Sequence, residues 1–241
     1  MAKPYQRVVL KVSGESFAQE GQLGISPDEL SSVANEILLA RQASPTTQIA
    51  VVVGGGNIVR GARLAETGRI AQGTADYMGM LGTVINGLAL REALEGVGLP
   101  SRLLTALHIT SVAEPFIRGR AIRHMEKGRI IVLAAGTGNP FFTTDTCASL
   151  RAVELQAQVL LKATKVDGIY SADPRKDPTA KRFETLRFSD VLEKRFAVMD
   201  LTAMAMCMEH NLPVEVFNFR TKGNVKRAVL GERVGTLVSN A

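Results

Sequence analysis

Short runs rich in Val, Ile and Leu recur along this chain between longer segments of helical period, and that alternation limits the fold more than any other feature of the sequence. The clearest runs, at residues 8–12, 49–53, 130–134, 159–161 and 214–219, are too short for helices and mostly apolar, as strands buried on both faces are. Strands of this kind separated by helices imply an α/β protein with three α/β/α layers and a central, mostly parallel sheet. The helix between the first two strands is marked at its start, with Ser26 as N-cap, Pro27 at the first helical position and Glu29 completing a capping box. Leu30, Val33, Ile37 and Leu38 fall on one of its faces. A second helix is expected to begin near Thr74 and to carry Tyr77, Met78, Leu81, Val84, Ile85, Leu88 and Leu94 at spacings of three and four; a third is expected near Asp145. Residues 168–187, with two Asp-Pro pairs and many charges, read as an extended loop. The expected organisation is one domain over residues 1–241, with approximate lobes at 1–160 and 161–241.

Composition narrows the function. With 46% hydrophobic and 22% charged residues the chain can bury a full core. The charge-free stretch at 77–90 is too short and too polar to span a bilayer, which takes about 20 apolar residues. The opening MAKPYQR runs straight into the first strand without a signal-peptide pattern, so a cytoplasmic location is expected. Cys147 and Cys207, 60 residues apart, form no CxxC and are expected to be reduced and packed. The net charge of +6 suits either nucleic acid or phosphorylated small molecules. The basic residues are dispersed, however, and aromatics make up only 5% with no Trp, so a stacking platform for single strands is not expected.

Three strand ends carry candidate chemistry. The first is Lys11-Val12-Ser13-Gly14-Glu15, where glycine lets amides approach an anion and lysine supplies a charge that can follow a transferring phosphoryl group. The same residues also make an ordinary strand ending. The second is Gly54-Gly55-Gly56-Asn57 with Arg60 beyond, a bare backbone at the carboxyl end of a strand, where open α/β sheets bind ligands. A tight turn accounts for one or two of those glycines. The third, Gly136-Thr137-Gly138-Asn139-Pro140-Phe141-Phe142-Thr143-Thr144-Asp145, gathers donors and an aromatic pair ahead of a helix. Asp145 suits a helix start through the macrodipole alone, or else orients lysines or a metal. No Gly-Lys dipeptide and no G-x-G-x-x-G occurs, which disfavours a P-loop kinase and a standard dinucleotide fold. His108, His124 and His210 are scattered and no G-x-S-x-G exists, so triad hydrolysis lacks its parts.

Taken together, KVSGE, VVGGGNIVRG, AAGTGNPFFTTD, LKATKVDGIYSADP and VMDL resemble the bacterial uridylate (UMP) kinases of the amino-acid kinase superfamily, over nearly the whole chain. GTGNPFFTTD with LKATKVDG is the specific part of the likeness; the glycine motifs alone indicate the superfamily, which also holds glutamate, aspartate and carbamate kinases. The resemblance implies transfer of the γ-phosphoryl group of ATP, carried with Mg2+, to UMP in pyrimidine nucleotide biosynthesis. It implies Lys11, Val12, Ser13, Gly14, Gly56 and Arg60 at the ATP phosphates, and Thr164, Tyr170 and Asp173 around the ATP nucleoside. Gly55, Asp76 and Thr137, Gly138, Asn139, Pro140, Phe141, Phe142, Thr143 and Thr144 correspond to UMP-holding positions. Asp145 and Asp200 correspond to acidic residues that organise transfer. The magnesium ion is implied to ride on the ATP phosphates rather than on the protein.

Asp76 would be mildly stabilising in any first helical turn, and Tyr170 suits plain packing as well as an adenine wall. Lys162 and Lys165 suit either transfer-site charges or a solvated rim. The resemblance further implies a homohexamer with GTP as activator and UTP as inhibitor, the loop 19–24 occupying the place of a segment that touches the regulatory nucleotide in some members. Other expectations compatible with the residues are a kinase of the same fold acting on a carboxylate or carbamate, and a nucleotide-sensing regulator that has lost catalysis.

Overall fold

The computed structural model describes residues 3–66, 68–172, 177, 179–194, 196 and 199–241. Its strands are β1 (Arg7–Val12), β2 (Gln48–Val53), β3 (Ser101–Thr105), β4 (Glu114–Pro115), β5 (Ile130–Ala134), β6 (Val159–Thr164), β7 (Thr185–Arg187), β8 (Val214–Asn218) and β9 (Thr236–Ser239). Its helices are α1 (Pro27–Ala43), α2 (Gly61–Glu66), α3 (Gln72–Gly96), α4 (Arg118–Glu126), α5 (Thr144–Glu154), α6 (Phe188–Glu193), α7 (Leu201–Glu209) and α8 (Asn224–Val229), with a 3-10 turn at Gly14–Phe17. The strands form one sheet in the order β4-β3-β5-β2-β1-β6-β8-β9-β7, and every pairing is parallel except β8 with β9. The expected α/β/α sandwich with a mostly parallel sheet is what the chain forms.

Alternation along the strands divides the core. Val8, Leu10 and Val12 of β1 pack with Val33 and Ile37 of α1, Val84 and Leu90 of α3 and Val225 of α8. Val9 faces the other way, towards Met125 of α4, Ala148 of α5, Phe188 of α6 and Met204 of α7. Fully burying each Val, Leu or Ile contributes about 1.5–3 kcal/mol, so two such layers readily hold the sheet. Because β1 lies in the middle, with β2 on one side and β6 on the other, the sheet runs without a break through both halves of the chain.

Several local expectations need correction. Ser26 does cap α1, accepting from the Glu29 amide, but the Ser26 amide itself donates to the Phe17 carbonyl at 2.8 Å, so only half of the capping box is made. Helix α3 starts at Gln72, two residues before the expected start. Its apolar residues do not form a single stripe: Val84 and Leu94 are buried, whereas Tyr77, Leu81 and Ile85 point outward. The 168–187 segment is not loop throughout, since β7 pairs with β9 and Tyr170 bridges to Arg182. Both cysteines are free and buried, and burial pushes each thiol up to about 11, as expected of packed, unreactive residues.

Candidate active site

The parallel sheet brings the carboxyl ends of β1, β2, β5 and β6 to one rim, and β1 and β6 are aligned so that Lys11 and Lys162 sit opposite each other. Lys11 follows the parity of Val9 and Lys162 that of Leu160, which turns both side chains to the α5 face of the sheet. Each lysine is only 8% exposed. Between them stands Asp145, in the first turn of α5, with one oxygen 2.9 Å from the Lys11 ammonium and the other accepting a 2.6 Å hydrogen bond from Lys162. Burial pulls the Asp145 carboxyl up, but the two ammonium groups outweigh it and the net direction is down. Lys162 moves the other way from an ordinary ion-pair partner: burial and repulsion from Lys11 outweigh Asp145 and hold its ammonium below the usual lysine range. Two parallel cations sharing a carboxylate in a half-dry site are relieved by an incoming anion.

Local structure fixes this trio. Thr143 caps α5, accepting from the Asp145 and Thr146 amides, and donates its hydroxyl proton to Asp200 at 2.5 Å. Asp200 in turn caps α7 through the Ala203 amide and accepts from Thr146. One carboxylate therefore locks the amino ends of two helices together, and Asp200 reaches the lysine pair through Thr143 and Asp145 rather than by contact.

The glycines divide between packing and access. A Cβ on Gly54 would lie 2.6 Å from the Gly14 amide, and one on Gly55 2.7 Å from the Gly79 carbonyl of α3, so both are needed for close backbone approach. A Cβ on Gly56 would meet nothing nearer than Arg60 at 3.9 Å. The buried Asn57 and Asn86 exchange side-chain hydrogen bonds and bond Gly24 and Gly54 carbonyls, fixing this turn against α3. Gly55→Ala is therefore expected to lower stability by about 1–3 kcal/mol, whereas Gly56→Ala leaves the melting temperature near wild type. Paired thermal unfolding curves check the contrast.

A cleft of about 440 Å³ opens beside this turn, lined by Gly55, Gly56, Arg60, Asp76, Thr137, Phe142, Thr143 and Thr144 together with Gly79, Met80 and Thr83. Asp76 stands in the second turn of α3 and pins the loop across the cleft, one oxygen accepting from the Phe141 amide at 2.8 Å and the other from Gln72. The loop starts with Ala135 and Gly136 both at positive φ, Ala135 being held there by its amide bond to Thr83. A non-glycine residue in that region costs about 1–3 kcal/mol, so this turn is kept by its surroundings. Not every expected loop residue faces the cleft. Gly138 packs on Ala106, Pro140 lies by Gly73, Asn139 is outside the lining and Phe141 is 76% exposed.

The remaining expected residues bond as follows. Arg60 bonds the Gly56 carbonyl and pairs with Glu15. Val12 is buried in β1, and the Ser13 hydroxyl lies 3.2 Å from that of Ser16. Thr164 ends β6 with its hydroxyl donated to the Val166 carbonyl. Tyr170 lies beyond it, its hydroxyl donated to Asp167. Asp173 lies outside the described residues.

Residues 6–218 match the amino acid kinase family. The chain belongs to that family. Among solved structures, it is similar to a UMP kinase from Bacillus anthracis at 39% identity and a TM-score of 0.94, over 99% of this chain and 97% of that one. It is also similar to a UMP kinase from Ureaplasma parvum, at 34% identity and 0.90 over 99% and 100%, and to a uridylate kinase from Archaeoglobus fulgidus, at 29% and 0.73 over 96% and 99%. For an amino acid kinase family member, two features of the rim were open or absent in the sequence reading. Lys162 belongs to the buried trio rather than to a solvated edge, and Thr83 supports the turn after β5. Periodicity of β6 signals the first only when β6 is known to lie beside β1; nothing local signals the second.

Proposed function

We propose that the protein is a UMP kinase, transferring the γ-phosphoryl group of ATP to UMP to give UDP and ADP in the cytoplasm. The observation that carries this reading is the in-register lysine pair around Asp145, placed next to an Arg60-lined cleft of nucleotide-monophosphate size. Similarity to three proteins named as UMP or uridylate kinases selects the acceptor.

Phosphoryl transfer asks little covalent chemistry of a protein; it needs alignment of the two oxygens and positive charge where the equatorial oxygens gather electrons. In this reading Lys11 and Lys162 hold the transferring phosphate, Gly14 lies against the ATP phosphates while packing on Gly56 and Asn57, Gly56 leaves room for backbone approach, and Arg60 spans from the transferring phosphate to the UMP phosphate. Asp145 keeps both ammonium groups at fixed spacing, and Asp200 and Thr143 keep Asp145 in place. Thr164, Tyr170 and Asp173 are proposed on the ATP nucleoside side. Among the described residues no three His, Cys, Asp or Glu side chains gather to hold a metal, and Asp145 and Asp200 already accept from lysines, hydroxyls and an amide. That donor set fits a Mg2+ held by the nucleotide phosphates, where it would supply charge neutralisation.

Asp76 is proposed to accept from the ribose hydroxyls of UMP. Asp76→Asn is then expected to raise KM for UMP about tenfold, the scale of a hydrogen bond to a charged group, with KM for ATP within about twofold. Equal changes in both constants count against the role. The reaction itself is tested by ADP formation from ATP with UMP, CMP, dUMP, glutamate, aspartate and carbamate offered separately. UMP is expected to be the preferred acceptor; turnover of a carboxylate or carbamate, or of none, overturns the reading. The homohexamer and the opposed effects of GTP and UTP are proposed from the family resemblance, with light scattering and assays at low ATP as their tests.

A further inference from the structure

Glu15 sits in the 3-10 turn after β1, and its carboxylate lies between two cations from the strands on either side. One oxygen accepts from the guanidinium of Arg60, beyond β2; the other is 2.8 Å from the ammonium of Lys165, beyond β6. A single carboxylate thus ties three strand ends at the rim. The hydrogen bond from Lys165 holds the Glu15 carboxyl below its usual range, with help from the charges of Arg60 and Lys11 and against the pull of burial. The three side chains remain open to water, at 40% for Glu15 and Arg60 and 32% for Lys165. Exposed ion pairs are weak and exchange readily. An oxyanion that touches a guanidinium fork with one oxygen and an ammonium with another uses the donor set that also binds phosphate.

We propose that Glu15 is a positioning residue that stands in for a phosphate oxyanion between Arg60 and Lys165, and that it yields both cations when phosphates bind. The proposal rests on the phosphoryl-transfer reading of this rim. Without the bridge two like charges would face each other across the turn; with it they wait at a spacing that a phosphate can span. The bridge also competes with the ligand. Each exposed pair changes a binding constant by up to about fivefold, so its loss should tighten polyphosphate binding by about three- to tenfold. Turnover at saturation should stay within about twofold, because Glu15 has already let go in the loaded site.

The test is calorimetric titration of inorganic tripolyphosphate into the full-length protein and its Glu15→Gln, Glu15→Asp and Glu20→Gln variants. Aspartate keeps the charge but is one methylene too short to reach both cations. Glu20 is a second carboxylate of the adjoining cleft, paired with Arg220 at 3.3 Å. Both Glu15 variants are expected to bind tripolyphosphate about three- to tenfold more tightly, with a lower KM for ATP and nearly unchanged kcat, while Glu20→Gln stays near wild type. The proposal is overturned if Glu15→Asp matches wild type while Glu15→Gln matches Glu20→Gln, for then only long-range charge acts. Weaker tripolyphosphate binding by Glu15→Gln overturns it as well. Because the probe is not a nucleotide, failure of the wild type to make UDP would remove the kinase reading and leave this result standing.

Discussion

Arg60→Ala is expected to lower kcat by about three decades, the low end of what a phosphate-spanning arginine contributes in GTPases, while shifting the melting temperature by no more than about 2 °C. The two halves of this expectation have separate sources. Among the described residues the Arg60 side chain bonds the Gly56 carbonyl and Glu15, and it is well exposed, so folding gains little from it. In the proposed transfer it faces the charge that develops between two phosphates, where an absent cation is felt in the transition state more than in the bound substrates. Steady-state kinetics with UMP and ATP varied in turn, beside thermal unfolding, check both halves. A kcat within tenfold of wild type would remove Arg60 from the reaction.

Asp145→Ala is expected to act on folding as strongly as on activity. Removing the carboxylate leaves the ammonium groups of Lys11 and Lys162 side by side on adjacent strands without the anion that holds them. Breaking a buried pair in this way costs about 3–5 kcal/mol; at the lower figure a chain of this size would melt roughly 6–12 °C earlier. The pH dependence separates this cause from general damage. The Asp145 carboxyl is held below its unfolded value, so its contribution is complete above the ordinary carboxylate range and fades as pH falls through the lowered value. Wild type and variant should therefore converge in stability in acid and part at neutral pH. Denaturation curves at several pH values measure the gap, and Asp145→Asn, closest in shape, serves if the alanine variant does not fold. A gap that stays constant with pH would deny the carboxylate its role.

How much of this was legible in the sequence depends on whether the controlling interaction is local. The strand runs and the cap at Ser26 announce themselves, because period and capping chemistry act within a few residues. The missing half of the capping box does not, since the Ser26 amide is taken by Phe17, a partner outside the motif. The α3 stripe misled for a related reason. Spacing identifies a helix but not which of two apolar faces meets the sheet, and Tyr77, Leu81 and Ile85 lie on the other one. The triple glycine has a cause that the motif does not reveal, for Gly54 and Gly55 are spent on backbone contacts with Gly14 and α3. The short β7, embedded in a charged stretch, has no pattern of its own and exists because β9 offers an edge.

Within the rim, Lys11 and Arg60 stand out beside their glycines, whereas the buried partnership of Lys162 with Asp145 is visible only after β6 is laid beside β1. Asp200 shows the limit of motif reasoning most clearly. Its carboxylate joins α5 to α7 through Thr143, Thr146 and Ala203, and the two threonines lie more than fifty positions away in the chain.

The most direct measurement is a crystal structure with UMP and a non-hydrolysable ATP analogue bound together. The account predicts the UMP phosphate on Arg60 with its ribose at Asp76, and the terminal phosphate of the analogue on Lys11 and Lys162, in line for transfer. Either nucleotide seated away from the tips of β1, β2, β5 and β6, or the two phosphates separated by protein, would contradict it.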